Sequence, residues 1–254
     1  MEPVDLVMHA TCAIADAYRG VSKVPESVLA IHGLSSAMNR RLLNNLCSFD
    51  DCHFLEVGTF YGATALSASY GNHGRFITID NFQLFGGQDI CEANLAAHRE
   101  MAPVELIAST LWEVQLDRLP PIDVLFYDAD HSTAGTQRAI EYLAPALADT
   151  CIVVVDDWNT FQVREGMRIA RPARSWHPLA HWKLFTANLR SDVEVYYEAD
   201  KWWWNGLFVG VYGAKYCGSL PPYDPRRCRY PRFDWGPDPE ELAAFFQGDG
   251  YRNE

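Results

Sequence analysis

Four carboxylates and a histidine fall into two short runs, Asp128-Ala129-Asp130-His131-Ser132 and Asp156-Asp157-Trp158-Asn159. Each run directly follows an apolar stretch, Ile122 to Tyr127 and Cys151 to Val155. If those stretches are neighbouring parallel strands, both runs emerge on one rim of the sheet, where open α/β proteins bind ligands. Like charges gathered there repel one another and lose hydration, and a hard divalent cation with oxygen ligands is the economical compensation. A blander arrangement of the same residues is a helix cap at Asp130, one salt-bridged aspartate and one surface aspartate.

A second constellation lies upstream, in Phe54-Leu55-Glu56-Val57-Gly58-Thr59-Phe60-Tyr61-Gly62-Ala63-Thr64. It runs from a strand into a helix, where backbone amides can meet a ligand. A dinucleotide loop needs glycine where this chain has Phe60 and Ala63, so nicotinamide and flavin cofactors are disfavoured. No Gly-Lys-Ser/Thr follows, which excludes a P-loop. The remaining pattern, Glu-x-Gly-x-x-x-Gly, resembles the first motif of class I S-adenosylmethionine-dependent methyltransferases. That resemblance implies that Glu56, Gly58 and Gly62 belong to the cofactor loop. Asp80, at the end of Phe76-Ile77-Thr78-Ile79-Asp80, stands where an acidic side chain accepts the ribose hydroxyls. A strand-end turn residue is its simpler role. Ser109, after the third strand, is an adenine contact by analogy or a plain helix cap.

The separation of Asp128 from Asp156, the acidic pair after an all-valine strand end, and Asp-Ala-Asp-His-Ser together resemble the metal-dependent O-methyltransferases that act on antibiotic sugars, of the macrocin O-methyltransferase type. Catechol O-methyltransferases share the spacing more loosely. The resemblance covers roughly residues 50 to 215 and implies Asp128, Asp156 and Asp157 as magnesium ligands. In one branch of the family the base is a histidine three residues past the first metal aspartate, which is His131 here. In others it is the aspartate two residues past, which is Asp130. His131 is preferred, because an imidazole with an unperturbed pKa of about 6.5 takes a proton at neutral pH and an aspartate would need its pKa raised.

These residues must be positioned by a framework, and the hydropathy pattern supplies one. Residues 1–50 carry apolar positions at helical spacing. Short apolar runs follow, His53 to Val57, Arg75 to Ile79, Val104 to Ala108, Ile122 to Tyr127 and Cys151 to Val155, with amphipathic stretches near 63–70, 88–100 and 133–148 between them. Such alternation predicts a parallel sheet covered on both faces. After a helix around 158–170 and a polar, Trp-rich connection, Val193 to Glu198 and Leu207 to Val211 are expected to close the sheet as an antiparallel pair. The expected fold is a doubly wound α/β, seven-stranded, mostly parallel sheet of the Rossmann-like class I methyltransferase type. Its divisions are an N-terminal helical cap (1–50), a methyltransferase domain (51–214) and a C-terminal extension (215–254) with a short helix over Glu240 to Phe246.

Composition bounds the partners. The chain has 254 residues, 48% hydrophobic, and a formal net charge of -12, which repels nucleic acid as a whole-molecule field. No apolar run is long enough for a membrane helix and no secretory signal opens the chain, so a cytoplasmic protein acting on a small-molecule acceptor is expected, with homo-oligomer formation left open. Seven scattered cysteines read as reduced thiols. His177 and His181 have Pro178 between them and no catalytic Glu, a poor zinc site. Trp176, Trp182 and Trp202 to Trp204 serve core or interface more readily than an acceptor pocket. The arginines from 226 to 232 could meet an anionic acceptor, but pairing with the acidic excess is simpler. Against a magnesium-dependent O-methyltransferase stand a non-catalytic S-adenosylmethionine binder, which has no need of the carboxylates, and a metal-independent N-methyltransferase.

Overall fold

The computed structural model describes residues 2–172, 176–184 and 203–213. Seven strands form one sheet in the order β3-β2-β1-β4-β5-β7-β6: β1 Cys52–Val57, β2 Gly74–Asp80, β3 Glu105–Ala108, β4 Ile122–Tyr127, β5 Leu147–Val155, β6 His177–Leu184 and β7 Leu207–Gly213. The first five run parallel, and β7 lies antiparallel between β5 and β6. The chain order reverses between β1 and β4, which makes the carboxyl ends of those two strands the switch point at which such sheets take ligands.

Helices α1 (Pro3–Tyr18), α2 (Glu26–Leu29) and α3 (Ala37–Leu46) precede the sheet; α4 (Ala63–Ser69), α5 (Gln88–His98), α6 (Thr133–Leu143) and α7 (Phe161–Ile169) follow β1, β2, β4 and β5, and two 3-10 turns follow β3. The central strands are apolar on both faces because both are covered. On one face Phe54, Phe76, Phe126 and Val154 pack against Leu6 and Ile14 of α1 and Leu42 and Leu46 of α3. On the other, Leu55, Leu125, Val153 and Val155 meet Ala139, Ile140 and Leu143 of α6 and Val163 of α7. The helices of residues 1–50 therefore share the sheet's core. Helix α6 is shorter than its periodicity suggests, since Pro145 follows and residues 144–146 tighten into a 3-10 turn.

Two expectations need correction. The last antiparallel partner of β7 is His177–Leu184, which reads in sequence as a connection. Only Trp182 and Leu184 of that strand are buried, and Pro178 sits near its start, so an edge strand carries little of the apolar signal that marks the central ones. The strand expected at Val193 to Glu198 lies outside the described residues, as do the C-terminal extension, its helix, Trp202 and the arginines from 226 to 232. The cysteines are also not all thiols: Cys12 is disulfide-bonded, whereas Cys47, Cys52, Cys91 and Cys151 are free and buried. No helix among the described residues is long and apolar enough to cross a membrane.

Candidate active site

The loop after β1 is shaped by what can fit beside β4. Gly58 has φ 94°, and a Cβ there would collide with the backbone carbonyl of Asp128, so this residue must be glycine. Gly62 (φ 82°) is the N-cap of α4. Between them Phe60 is held at φ 51°, a left-handed conformation that costs a residue with a side chain about 1 to 2 kcal/mol. Asp80 supplies the restraint: its Oδ2 accepts from the backbone N–H groups of Thr59 and Phe60, both at 2.9 Å, and its Oδ1 from that of Phe82 at 2.7 Å. An ionised carboxylate has about four acceptor positions, so at least one remains for a ribose hydroxyl.

Glu56 stands differently from the other loop residues. Its side chain is wholly buried and accepts hydroxyl hydrogen bonds from Thr59 and Thr78, both at 2.6 Å, and from Thr64. Burial pushes its pKa up to about 7, against the lowering effect of those three hydroxyls. The carboxyl is occupied within the protein, so its effect on a ligand passes through the loop it braces. Ser109 faces outward and donates to Glu113 at 2.9 Å.

The ends of β4 and β5 bring Asp128, Asp156, Asp157 and His131 together. Register pairs Tyr127 with Val155, and the N–H of Asp156 donates to the carbonyl of Tyr127 at 3.0 Å, so the two acidic runs leave the sheet side by side. The His131 ring bridges two of the acids, with Nδ1 2.6 Å from Asp157 Oδ2 and Nε2 3.3 Å from Asp128 Oδ1. Burial alone would lower the imidazole pKa, but hydrogen bonds to Asp128 and Asp157 and their charges raise it to about 10. Burial raises Asp128, offset in part by His131. Burial, then the charges of Asp128 and Asp157, hold Asp156 well above the usual carboxylate range.

Asp130 does not join this group. It is exposed, and its Oδ1 accepts from the backbone N–H of Ser132 at 2.9 Å in the turn before α6, while the helix cap is Ser132, whose hydroxyl accepts from the Gly135 N–H at 3.0 Å. One contributor escaped the sequence reading: Asn205 Nδ2 donates to Asp157 Oδ1 at 2.7 Å and braces Asp157, whose backbone is at φ 54°. Its only signal was the turn-forming pair Asn205-Gly206. His177 and His181 lie on β6, and His181 stacks on Phe208 at 6.0 Å. Trp182 and Trp203 are core, and Trp176 stacks on Tyr212.

Whether these acids suit a divalent cation can be judged from their chemistry. Asp156 Oδ1 is buried with no hydrogen-bond partner among the described residues, and three hard carboxylates converge, as magnesium prefers. No ready-made group of three or more metal-holding side chains stands among the described residues. The His131 ring occupies the gap between Asp128 and Asp157, so a cation would enter by displacing it. The carboxylate chemistry suits a hard cation, but the side chains as they stand do not form a site for one, and the ring position is what must change.

The family model described as a methyltransferase domain matches residues 55–158, the stretch from β1 through the acidic pair. Among solved structures, a putative methyltransferase complexed with SAH is 14% identical, with a TM-score of 0.50 over 71% of this chain and 50% of that one. An O-methyltransferase from Bacillus cereus in complex with SAH is 15% identical, with a TM-score of 0.49 over 80% and 90% of the two chains. A putative O-methyltransferase from Klebsiella pneumoniae is likewise 15% identical, with a TM-score of 0.49 over 79% and 90%. No curated protein matches the chain. Residues 55–158 are thus similar to a methyltransferase domain, and the sheet has the Rossmann-like methyltransferase fold.

Proposed function

We propose that this protein transfers a methyl group from S-adenosylmethionine to a hydroxyl of a small molecule with two neighbouring oxygens, a vicinal diol on a sugar or a catechol-like ring. The observation that carries the reading is the meeting of Asp128, Asp156, Asp157 and His131 beside a glycine loop tied down by Asp80. Magnesium held by the three aspartates would orient the acceptor oxygens and favour loss of a proton.

The chain's own residues divide the remaining work. The loop from Gly58 to Gly62 holds the methionine part of the cofactor, Asp80 accepts from its ribose, and Ser109 lies at the adenine end. His131 is the base. Without the cation Nδ1 is held by Asp157 at 2.6 Å and Nε2 by Asp128 at 3.3 Å; a cation between the aspartates would displace the ring, and the freed imidazole is then the group that takes the acceptor's proton. The acceptor oxygen then attacks the methyl carbon in line, the carbon–sulfur bond breaks, and S-adenosylhomocysteine leaves. Positioning and charge account for most of the rate.

One observation favours a second reading. The imidazole already between Asp128 and Asp157 is a cation built into the chain, and methyl transfer organised around it would need no metal. A chelator separates the two. The proposal predicts that turnover falls to background in excess EDTA and returns with magnesium; full turnover in EDTA transfers the assignment to the second reading.

A further inference from the structure

The cofactor loop, whose Gly58 lies against Asp128, carries an aromatic cluster that reaches beyond the cofactor role given above. On the cofactor loop the rings of Phe60 and Tyr61 stack with centroids 3.7 Å apart. The imidazole of His32 meets them at 6.0 and 5.6 Å, and Phe85, from the loop after β2, stands edge-on to Phe60 at 5.7 Å. Phe85 is 63% exposed and its neighbour Leu84 81%, so these rings form an open wall and not part of the core.

The wall is built in advance of any ligand. Phe60 is fixed in its strained conformation by Asp80, as described above. His32 belongs to the segment between α2 and α3, which Arg40 secures from beneath. That side chain, 3% exposed, donates to the Leu29 carbonyl at 2.9 Å, the Ile31 carbonyl at 2.7 Å and the Ser35 hydroxyl at 2.9 Å. Gly33 lies so close to the first turn of α4 that a Cβ on it would stand 2.9 Å from that of Ala63. The segment is therefore laid against the start of the cofactor helix, at one end of the loop whose other end, Gly58, presses on Asp128.

We propose that His32, Phe60, Tyr61 and Phe85 form the acceptor wall of the active site, with His32 and Phe85 selecting a planar aromatic 1,2-diol over a sugar. The inference rests on the methyl-transfer reading and narrows its acceptor. A flat ring gains stacked or edge-to-face contact with such a wall. A sugar must in addition find polar partners for every hydroxyl turned away from the aspartates, and the four side chains offer only the imidazole of His32 and the hydroxyl of Tyr61. Pre-formed contacts also spare the ordering cost of binding. A part in recognition is thus assigned to the N-terminal segment, which carries no recognisable motif.

The test uses the full chain loaded with S-adenosylhomocysteine and magnesium, with catechol and methyl mannoside as probes and calorimetry as the readout. Catechol is expected to bind at least tenfold more tightly than the sugar. His32→Ala and Phe85→Ala, both at exposed positions that leave the fold intact, should each weaken catechol about tenfold and change S-adenosylhomocysteine affinity less than twofold. Preference for the sugar, or loss of cofactor affinity in step with catechol, overturns the wall while the methyl-transfer reading stands. Failure of the wild-type chain to bind S-adenosylhomocysteine overturns that reading, and the wall with it.

Discussion

At the scale of single residues, His131 and Asp130 divide two roles that their sequence left open. Both stand within three residues of Asp128, and spacing alone cannot tell which side chain turns back toward the rim. The backbone decides: Asp130 is used by the turn into α6, and His131 reaches Asp128 and Asp157. His131→Ala is expected to lower kcat by roughly 10²- to 10⁴-fold with cofactor affinity unchanged, and Asp130→Asn to remain active. The pH profile carries the sign. The two carboxylates hold the His131 proton up to about pH 10, so at low magnesium the residual rate should climb toward that value. A cation between the aspartates favours the neutral ring, and the acid limb should move to lower pH as magnesium saturates. Rates measured from pH 6 to 10 at low and high magnesium check this; an acid limb that ignores magnesium separates the base from the metal site.

At the scale of elements, Glu56 ties β1 to three others through hydroxyls on the loop (Thr59), on α4 (Thr64) and on β2 (Thr78). Those donors are scattered in sequence, which is why its bracing role was not visible there. Its native pKa of about 7 lies above the ordinary 4.5, so the folded chain retains a proton that the unfolded chain releases. The associated stability is complete below about pH 4.5 and is lost as pH rises to about 7, by an amount on the order of 3 kcal/mol. Glu56→Gln should remove that slope, and urea unfolding of both proteins at pH 5 and pH 8 measures the difference. An equal slope in the variant would place the titration elsewhere. The parallel strands themselves were legible, because β1, β2, β4 and β5 are compact apolar runs bounded by helical stretches. Edge strand β6 was not, since a strand buried only at Trp182 and Leu184 looks like a connection.

At the scale of the whole molecule, the strand order explains how distant motifs become one site. The reversal between β1 and β4 sets Gly58 against Asp128, and the adjacency of β4 and β5 adds Asp156 and Asp157. That convergence could be read from the sequence once the strands were assigned. The Asn205 contact could not, because it depends on packing between segments far apart in the chain. Methyl transfer requires the pocket framed by these strands to accept S-adenosylmethionine, with Asp80 both shaping the loop and meeting the ribose. Calorimetric titration of S-adenosylhomocysteine into the wild-type chain and into Asp80→Ala, with NAD as comparator, is the most direct measurement. The expected result is tight binding to the wild type, none of NAD, and a loss in the variant of about 2 to 4 kcal/mol, the worth of charge-assisted hydrogen bonds to one carboxylate. Tight NAD binding, or undiminished S-adenosylhomocysteine affinity in Asp80→Ala, would contradict it.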